Sequence, residues 1–144
     1  MAEHTVVKVL RLNVRAKLPC YAFDTDLCAD VYSLDSHTIE TGTIMCVPTG
    51  IAIELEPEYG AVVESRSGLA LRGVVALGGI VDPGYRGEIK IIVANFGNAP
   101  FSIASGDRVA QIRVVHRIQM EFCEVKTLSE SLRGASGYGS TGIR

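Results

Sequence analysis

Residues 43–64 read TIMCVPTGIAIELEPEYGAVVE, and they decide the fold of this chain. Their apolar residues form short, β-branched segments, and residues 51–55 alternate apolar with polar side chains, as half-buried strands do. Turn-forming residues at 48–50 and 57–60 separate these segments. The stretch therefore predicts three strands, over residues 43–47, 51–55 and 60–64.

The same pattern continues on both sides of this stretch. Further strands are predicted over residues 6–14, 88–95 and 108–115, with turn chemistry between them. No long 3.6-residue stripe is present, and the best helical candidate is a short helix over residues 67–72, ended by Gly73. Many short strands joined by turns predict an all-β protein, as a sandwich, jelly roll or closed barrel.

The composition excludes several classes of protein. With 144 residues, 47% hydrophobic and 21% charged, the chain is long enough for one globular domain with a sizeable core. The net charge of −2 disfavours a nucleic-acid partner, and no apolar run is long enough for a membrane span. The four cysteines form no C-x-x-C pair and no signal-peptide pattern is present. We therefore expect an intracellular, cytoplasmic protein with reduced thiols, a nuclear or organellar location remaining open.

The end of the chain carries two conspicuous side chains. Residues 133–142 read RGASGYGSTG, a composition typical of a disordered terminus. Arg133 and Tyr138 nevertheless stand among very small residues. A lid closing over a ligand would use the ring for stacking and the guanidinium for gripping phosphate. We therefore expect a β domain over residues 1–130 and a mobile, glycine-rich lid over residues 131–144.

A second glycine-rich stretch lies in the middle of the chain. Residues 78–87 read GGIVDPGYRG, and the Asp-Pro-Gly sequence within them is common turn chemistry. A plain hairpin turn is one interpretation. In the other interpretation Asp82 is a general base beside a closely packed Tyr85.

Three further polar positions have both a structural and a functional interpretation. In residues 64–70, ESRSGLA, free N–H groups at a helix start attract phosphate, or Ser65 or Ser67 simply caps the helix. Gln111, on a predicted apolar strand, either ties strands together or faces a ligand. Asp30, between apolar neighbours, either caps a turn, binds a metal through water or forms an ion pair.

These segments, in this order along an all-β chain, resemble the five motifs of the trimeric dUTPase family. The matching stretches are ADVYS at 29–33, RSGLA at 66–70, GIVDPGYRG at 79–87, GDRVAQ at 106–111 and the tail at 133–142. The resemblance implies a jelly-roll-like β-clip fold and a homotrimer whose active sites are shared between subunits. It also implies Mg²⁺-dependent hydrolysis of dUTP to dUMP and pyrophosphate, which limits uracil incorporation into DNA and supplies dUMP for dTMP synthesis.

The resemblance also implies residue roles. Asp82 would deprotonate the water that attacks the α-phosphorus, Tyr85 would pack on the deoxyribose, and Asp30 would hold Mg²⁺ through water. Cys28 stands where the family often has glycine. The remaining implied substrate-binding positions are Arg66, Ser67, Gly68, Gly79, Ile80, Val81, Lys90, Gln111, Arg133, Tyr138 and Gly139.

Two rival functions remain open from the sequence. A dCTP deaminase shares the fold but is expected to use a glutamate near the pyrimidine and to lack an aromatic glycine-rich tail. A non-catalytic β-sandwich with a repurposed nucleotide pocket is the other rival. The aromatic, glycine-rich tail favours the pyrophosphatase over the deaminase. The presence of Asp82, Tyr85, Arg66 and Arg133 argues against a non-catalytic, repurposed pocket.

Overall fold

The computed structural model describes residues 4–138, 140 and 142, and in these residues the chain forms ten strands and one short helix. The elements are, in chain order, β1 (Lys8–Arg11), β2 (Ala29–Tyr32), β3 (His37–Ile39), β4 (Ile44–Glu54), β5 (Tyr59–Glu64), α1 (Ser67–Ala70), β6 (Val74–Leu77), β7 (Ile80–Val81), β8 (Glu88–Asn95), β9 (Phe101–Ile103) and β10 (Arg108–His116). No helix in the described part of the chain is long and apolar enough to cross a bilayer.

The strands form two four-stranded sheets and one two-stranded sheet, and all their pairings are antiparallel. The first sheet has the order β1-β4-β8-β6, and the second has the order β2-β10-β5-β7. The small sheet pairs β3 with β9. Because non-consecutive strands are neighbours in both large sheets, the chain crosses repeatedly between them, as in jelly-roll folds.

A single hydrophobic cluster joins the two large sheets. Along β8 the side chains of Ile89, Ile91 and Val93 are buried, whereas Lys90 and Ile92 point outward. This alternation is the period of two that a sheet with one buried face imposes. The second sheet contributes residues such as Val31 to the same cluster. The all-β prediction is therefore confirmed, and the core lies between the sheets.

The predicted turn at residues 48–50 is wrong. β4 runs unbroken from Ile44 to Glu54, and its register against β8 shifts between Pro48 and Ala52. Gly50 has a φ of +71°, and its amide donates to the Glu88 carboxylate at 2.9 Å. Thr49 is buried and its hydroxyl donates to the Ile89 carbonyl. Proline and glycine here make a bulge inside one long strand, because polar partners on β8 satisfy the distorted backbone.

Other elements differ from the prediction in length. The strand predicted over residues 6–14 is confined to Lys8–Arg11, because β1 pairs only with the four residues of β4 beyond the bulge. The helix ends at Ala70, its N-cap is Arg66 and no side chain caps it. The Ser65 hydroxyl instead accepts from the Ala76 amide at 2.8 Å, so the capping interpretation is wrong.

Regular structure ends earlier than the predicted boundary at residue 130. The last strand finishes at His116, and the described residues that follow form no helix or strand. The side chains of this segment are exposed, among them Ile118, Met120 and Phe122. The division into a β domain and a lid stays a prediction.

Candidate active site

A surface groove of about 390 Å³ opens beside β7 and the outward face of β8. Six of the residues predicted for the site line this groove: Gly79, Ile80, Val81, Asp82, Tyr85 and Lys90. Strand β7 is the last strand of its sheet, so in the described residues no strand pairs with its second side. Backbone N–H and C=O groups on an unpaired strand edge are available to a ligand with donors and acceptors in one plane.

The wall of the groove requires glycine at residue 79. The Val63 amide donates to the Gly79 carbonyl at 2.7 Å, which draws the two backbones together. A Cβ atom on Gly79 would lie 2.8 Å from the carbonyl carbon of Val63. Because no side chain fits in that space, glycine is needed for this close approach.

Asp82 and Tyr85 are the two ends of one tight turn. The Tyr85 amide donates to the Asp82 carbonyl at 3.0 Å, which confirms turn chemistry at Asp82-Pro83-Gly84-Tyr85. The Tyr85 hydroxyl donates to the Glu88 carbonyl at 2.9 Å, and the ring lies against Gly87. The turn therefore holds a carboxylate and a flat ring together at the mouth of the groove.

Lys90 supplies a positive charge on the outward face of β8. Its ammonium nitrogen lies 3.8 Å from a carboxylate oxygen of Glu88 and both side chains line the groove. The other Glu88 oxygen accepts from the Gly50 amide. Glu88 is thus committed to the β4 bulge and to Lys90. Local pattern does not predict this role, since Glu88 and Gly50 are 38 positions apart.

A second cluster of predicted site residues surrounds Asp30. One carboxylate oxygen of Asp30 lies 3.0 Å from Arg66 Nε, and the other lies 3.3 Å from Arg108 Nη1. Of the three open interpretations of Asp30, the structure shows the ion pair. Arg108 belongs to the GDRVAQ motif, but the sequence analysis does not predict it as a site residue. Its adjacency to the Gly106-Asp107 turn was the available signal.

Gln111 stands on the neighbouring strand and ties two elements together. Its side-chain amide donates to the Ser65 carbonyl at 3.0 Å, and β10 pairs with both β2 and β5 at this residue. Ser67 and Gly68 begin α1 directly after Arg66. The loop that carries Arg66 is therefore fixed to the centre of the second sheet.

The two clusters do not meet within one chain. A smaller pocket of about 190 Å³ includes Arg66 and Arg108 in its lining, and none of its lining residues also lines the groove of Asp82 and Tyr85. The described residues of the tail line neither pocket. Arg133 Nε donates to the Ser136 carbonyl at 2.9 Å, and Tyr138 is fully exposed. Gly139, also predicted to bind substrate, lies outside the described residues.

Electrostatic pairing shifts several pKa values near these clusters. Two hydrogen bonds from Arg113, each 3.2 Å long, lower the pKa of the Glu64 carboxyl below its usual value. Burial, together with the Glu64 charge, raises the pKa of the Cys28 thiol. Cys28, two residues before Asp30, is therefore a neutral thiol at physiological pH.

Asp30 fits a metal only through water. Both of its oxygens already face an arginine and its side chain is only 13% exposed. No group of three or more His, Cys, Asp or Glu side chains in the described residues could hold an ion. Because a carboxylate keeps spare lone pairs beside two hydrogen bonds, Asp30 can still accept from the water shell of a Mg²⁺ carried on phosphates.

Comparisons with known proteins agree on one family. A family model described as dUTPase matches residues 15–142. The deoxyuridine 5'-triphosphate nucleotidohydrolase of Clostridium tetani is 43% identical over 145 residues, covering 99% of each chain.

Solved structures share the fold. A mutant dUTPase of Staphylococcus bacteriophage 80alpha, solved with dUpNHpp, is 23% identical and has a TM-score of 0.90, covering 97% of this chain and all of that one. A mutant dUTPase from phage phi11 of S. aureus, described with a coordinated structural Mg(II) ion, is 21% identical and has a TM-score of 0.80, covering 88% of this chain and all of that one. The jelly-roll-like fold expected from the sequence is confirmed, and the chain belongs to the dUTPase family.

Proposed function

We propose that the protein hydrolyses dUTP to dUMP and pyrophosphate. The observation that carries the proposal is the pairing of Asp82 and Tyr85 across one turn, at a groove walled by an unpaired strand edge. A carboxylate, a flat ring and a planar row of backbone groups are the parts needed for a water, a deoxyribose and a base. Membership of the dUTPase family and the name of the Clostridium tetani relative support the same reaction.

Uracil recognition is assigned to the backbone of residues 79–81. The unpaired edge of β7 would present its backbone N–H and C=O groups to the uracil edge. Cytosine would be rejected, because its donor and acceptor pattern is the reverse of that of uracil. Tyr85 packs on the deoxyribose, where its ring leaves no room for a 2′-hydroxyl. The position of that ring depends on Gly87, because a Cβ atom there would lie 2.6 Å from the phenolic carbon Cζ of Tyr85.

Phosphate binding is assigned to the second cluster and to Lys90. Phosphate oxygens would accept hydrogen bonds from three groups of this cluster. These groups are the guanidinium of Arg66, the backbone around Ser67 and Gly68, and the side-chain amide of Gln111. Mg²⁺ bound to the triphosphate would neutralise charge on it, with Asp30 accepting from the metal's water shell. Asp82 orients the attacking water and takes its proton, and positioning supplies most of the remaining rate.

The tail is assigned to closure over the bound nucleotide. Tyr138 would stack on uracil, Gly139 would allow close approach to the ligand, and Arg133 would reach the γ-phosphate. In the described residues neither Arg133 nor Tyr138 lines the groove of Asp82 or the pocket of Arg66, and both side chains are exposed.

We further propose a homotrimer with active sites shared between subunits. The separation of the Asp82 groove from the Arg66 pocket supports sharing, because one nucleotide must reach both. The exposed apolar side chains of Ile118, Met120 and Phe122 support burial against another subunit. Four free cysteines support action in a reducing, intracellular compartment, where the reaction would limit uracil in DNA and supply dUMP for dTMP synthesis.

The bond that breaks tests the reaction. Hydrolysis of dUTP in ¹⁸O-labelled water is expected to place the label in dUMP, because the water attacks the α-phosphorus. Label in pyrophosphate, or release of inorganic phosphate, would contradict the assignment. Ammonia from dCTP would instead favour the deaminase. The glutamate that lines the groove is Glu88, which already contacts Gly50 and Lys90.

Subunit mixing tests the shared site. Trimers reassembled from Asp82→Asn and Arg66→Gln chains are expected to regain activity, since some sites then combine an intact Asp82 with an intact Arg66. Mixtures that stay as inactive as the separate variants would place both residues in the same chain's site. A mixture of two Asp82→Asn preparations is the matched control.

A further inference from the structure

Arg86 folds back on the loop that carries the candidate catalytic residues. Its Nη1 atom donates to the Pro83 carbonyl at 2.6 Å and to the Tyr85 carbonyl at 3.1 Å. Both carbonyls belong to the turn from Asp82 to Tyr85, that of Pro83 inside it and that of Tyr85 at its last residue. One guanidinium nitrogen therefore binds two carbonyls of the turn. A lysine ammonium, which is a point charge on a flexible stem, would hold the same two carbonyls less well.

The same guanidinium links the loop to the first sheet. Arg86 Nε lies 3.9 Å from one oxygen of Glu54, near the end of β4. The other oxygen of Glu54 accepts from Lys8 on β1 at 2.8 Å. All three side chains are exposed, so the ion pairs themselves contribute little stability. These ion pairs instead orient the Arg86 guanidinium toward the Pro83 and Tyr85 carbonyls.

The loop has few other restraints. Asp82, Gly84, Tyr85 and Arg86 are exposed, and in the described residues the Asp82 carboxylate makes no hydrogen bond to protein. The position of that carboxylate is therefore set by its backbone. Besides the Arg86 contacts, the turn hydrogen bond and the Tyr85 hydroxyl bond hold the loop.

We propose that Arg86 is a positioning residue, which holds Asp82 and Tyr85 in register with the groove through its hydrogen bonds to the Pro83 and Tyr85 carbonyls. Its effect on turnover rests on the proposed dUTP hydrolysis, whereas its effect on the loop does not. Arg86 acts through the turn and is assigned no contact with substrate. Glu54 and Lys8 orient Arg86 in turn.

Turnover and selectivity provide the kinetic test. Arg86→Ala is expected to lower kcat for dUTP by about 10-fold or more, because small displacements of reacting groups are costly. It is also expected to lower the selectivity for dUTP over UTP, since the Tyr85 ring moves with the turn. Arg86→Lys is expected to lower kcat as much as Arg86→Ala does. Glu54→Gln is expected to lower kcat less than Arg86→Ala does.

Arg15 offers a matched control. Like Arg86, it is an exposed arginine that forms one ion pair, to Asp35 at 2.8 Å, and donates to a backbone carbonyl, that of Leu34 at 3.3 Å. It lines neither the groove nor the Arg66 pocket. Arg15→Ala should therefore keep kcat and selectivity within about 2-fold of wild type.

Amide hydrogen exchange tests the loop without any activity. In Arg86→Ala the Tyr85 amide should exchange faster than in wild type, while amides of β8 should not change. Unchanged exchange at Tyr85 would overturn the proposal. Wild-type kcat and selectivity in an active Arg86→Ala enzyme would overturn it as well. A wild-type protein that does not hydrolyse dUTP would instead reject the proposed function, leaving the exchange result to decide the loop.

Discussion

The amide nitrogen of Tyr85 lies 3.0 Å from the carbonyl oxygen of Asp82. The candidate base and the candidate sugar-facing ring are thus fixed to each other by backbone, three residues apart. Any change that moves one of them moves the other. Chemistry and sugar selectivity should therefore fail together when this turn is disturbed, and separately when one side chain is replaced.

Gly87→Ala tests the position of the Tyr85 ring. A Cβ atom at residue 87 would lie 2.6 Å from Tyr85 Cζ, so the ring must move. Selectivity for dUTP over UTP, measured as the ratio of kcat/KM values, is expected to fall about 10-fold. Gly84→Ala, where a Cβ atom meets nothing within 4 Å, is the control and should keep the ratio. Equal ratios in both variants would reject the sugar-facing role of the ring.

Tyr138→Ala tests the stacking role of the tail. Tyr138 is fully exposed, so its loss should leave the thermal unfolding temperature unchanged. Loss of base stacking is expected to raise KM for dUTP about 10-fold, whereas Tyr138→Phe retains a ring and should keep the wild-type KM. Identical KM values for the alanine and phenylalanine variants would contradict stacking.

Asn95 is expected to be the most sensitive polar residue of the fold. It is 1% exposed, and its amide donates to the Ile39 and Ala99 carbonyls and accepts from the Gly97 amide, each at 2.9 Å. Asn95→Ala should lower the free energy of unfolding by about 3 kcal/mol, because buried polar groups lose their partners. Asn98→Ala, at an exposed position, should change urea denaturation little. An Asn95→Ala variant with the wild-type free energy of unfolding would contradict this expectation and show that water replaces the amide.

The Glu64–Arg113 pair predicts a pH dependence of stability. Hydrogen bonding by Arg113 lowers the pKa of Glu64 in the folded protein. The stabilisation is therefore complete above the unfolded pKa, about 4.3, and is lost as the pH falls through the lower folded value. Unfolding temperatures of wild type and Glu64→Gln should differ at pH 7, and the difference should shrink as the pH falls below the unfolded pKa and through the lower folded one. A constant difference across this range would contradict the pairing.

Strand β8 is an element that the local sequence pattern predicts. Residues 88–91 alternate polar with apolar side chains, and the β-branched run that follows extends the predicted strand to residue 95, the bounds that the structure has. The bulge in β4 has the same Pro-Thr-Gly composition as a turn. What distinguishes it is Glu88, a partner 38 residues away that local pattern cannot supply. Strands β2, β3, β6, β7 and β9, of two to four residues each, are not predicted by local pattern, because their pairing specifies them.

The candidate site likewise contains residues that local sequence predicts and contacts that only the fold brings together. Asp82 and Tyr85 were predictable because a single turn contains both. The ion pairs of Asp30 with Arg66 and Arg108 were not selected from the sequence, because Asp30 and Arg108 are 78 residues apart and meet only through the pairing of β2 with β10. Arg86 belongs to the GIVDPGYRG motif, but its hydrogen bonds depend on loop geometry that spacing alone does not specify.

Pyrophosphate release by wild type and Asp82→Asn is the most direct test of the central claim. Both proteins would be assayed with Mg²⁺ and dUTP, beside dCTP, dTTP and UTP. Wild type is expected to release pyrophosphate rapidly from dUTP alone, and Asp82→Asn to lose about 10³-fold in kcat with an unchanged unfolding temperature, because removing a general base costs on that order. Release from no nucleotide, or an Asp82→Asn variant as fast as wild type, would contradict the account.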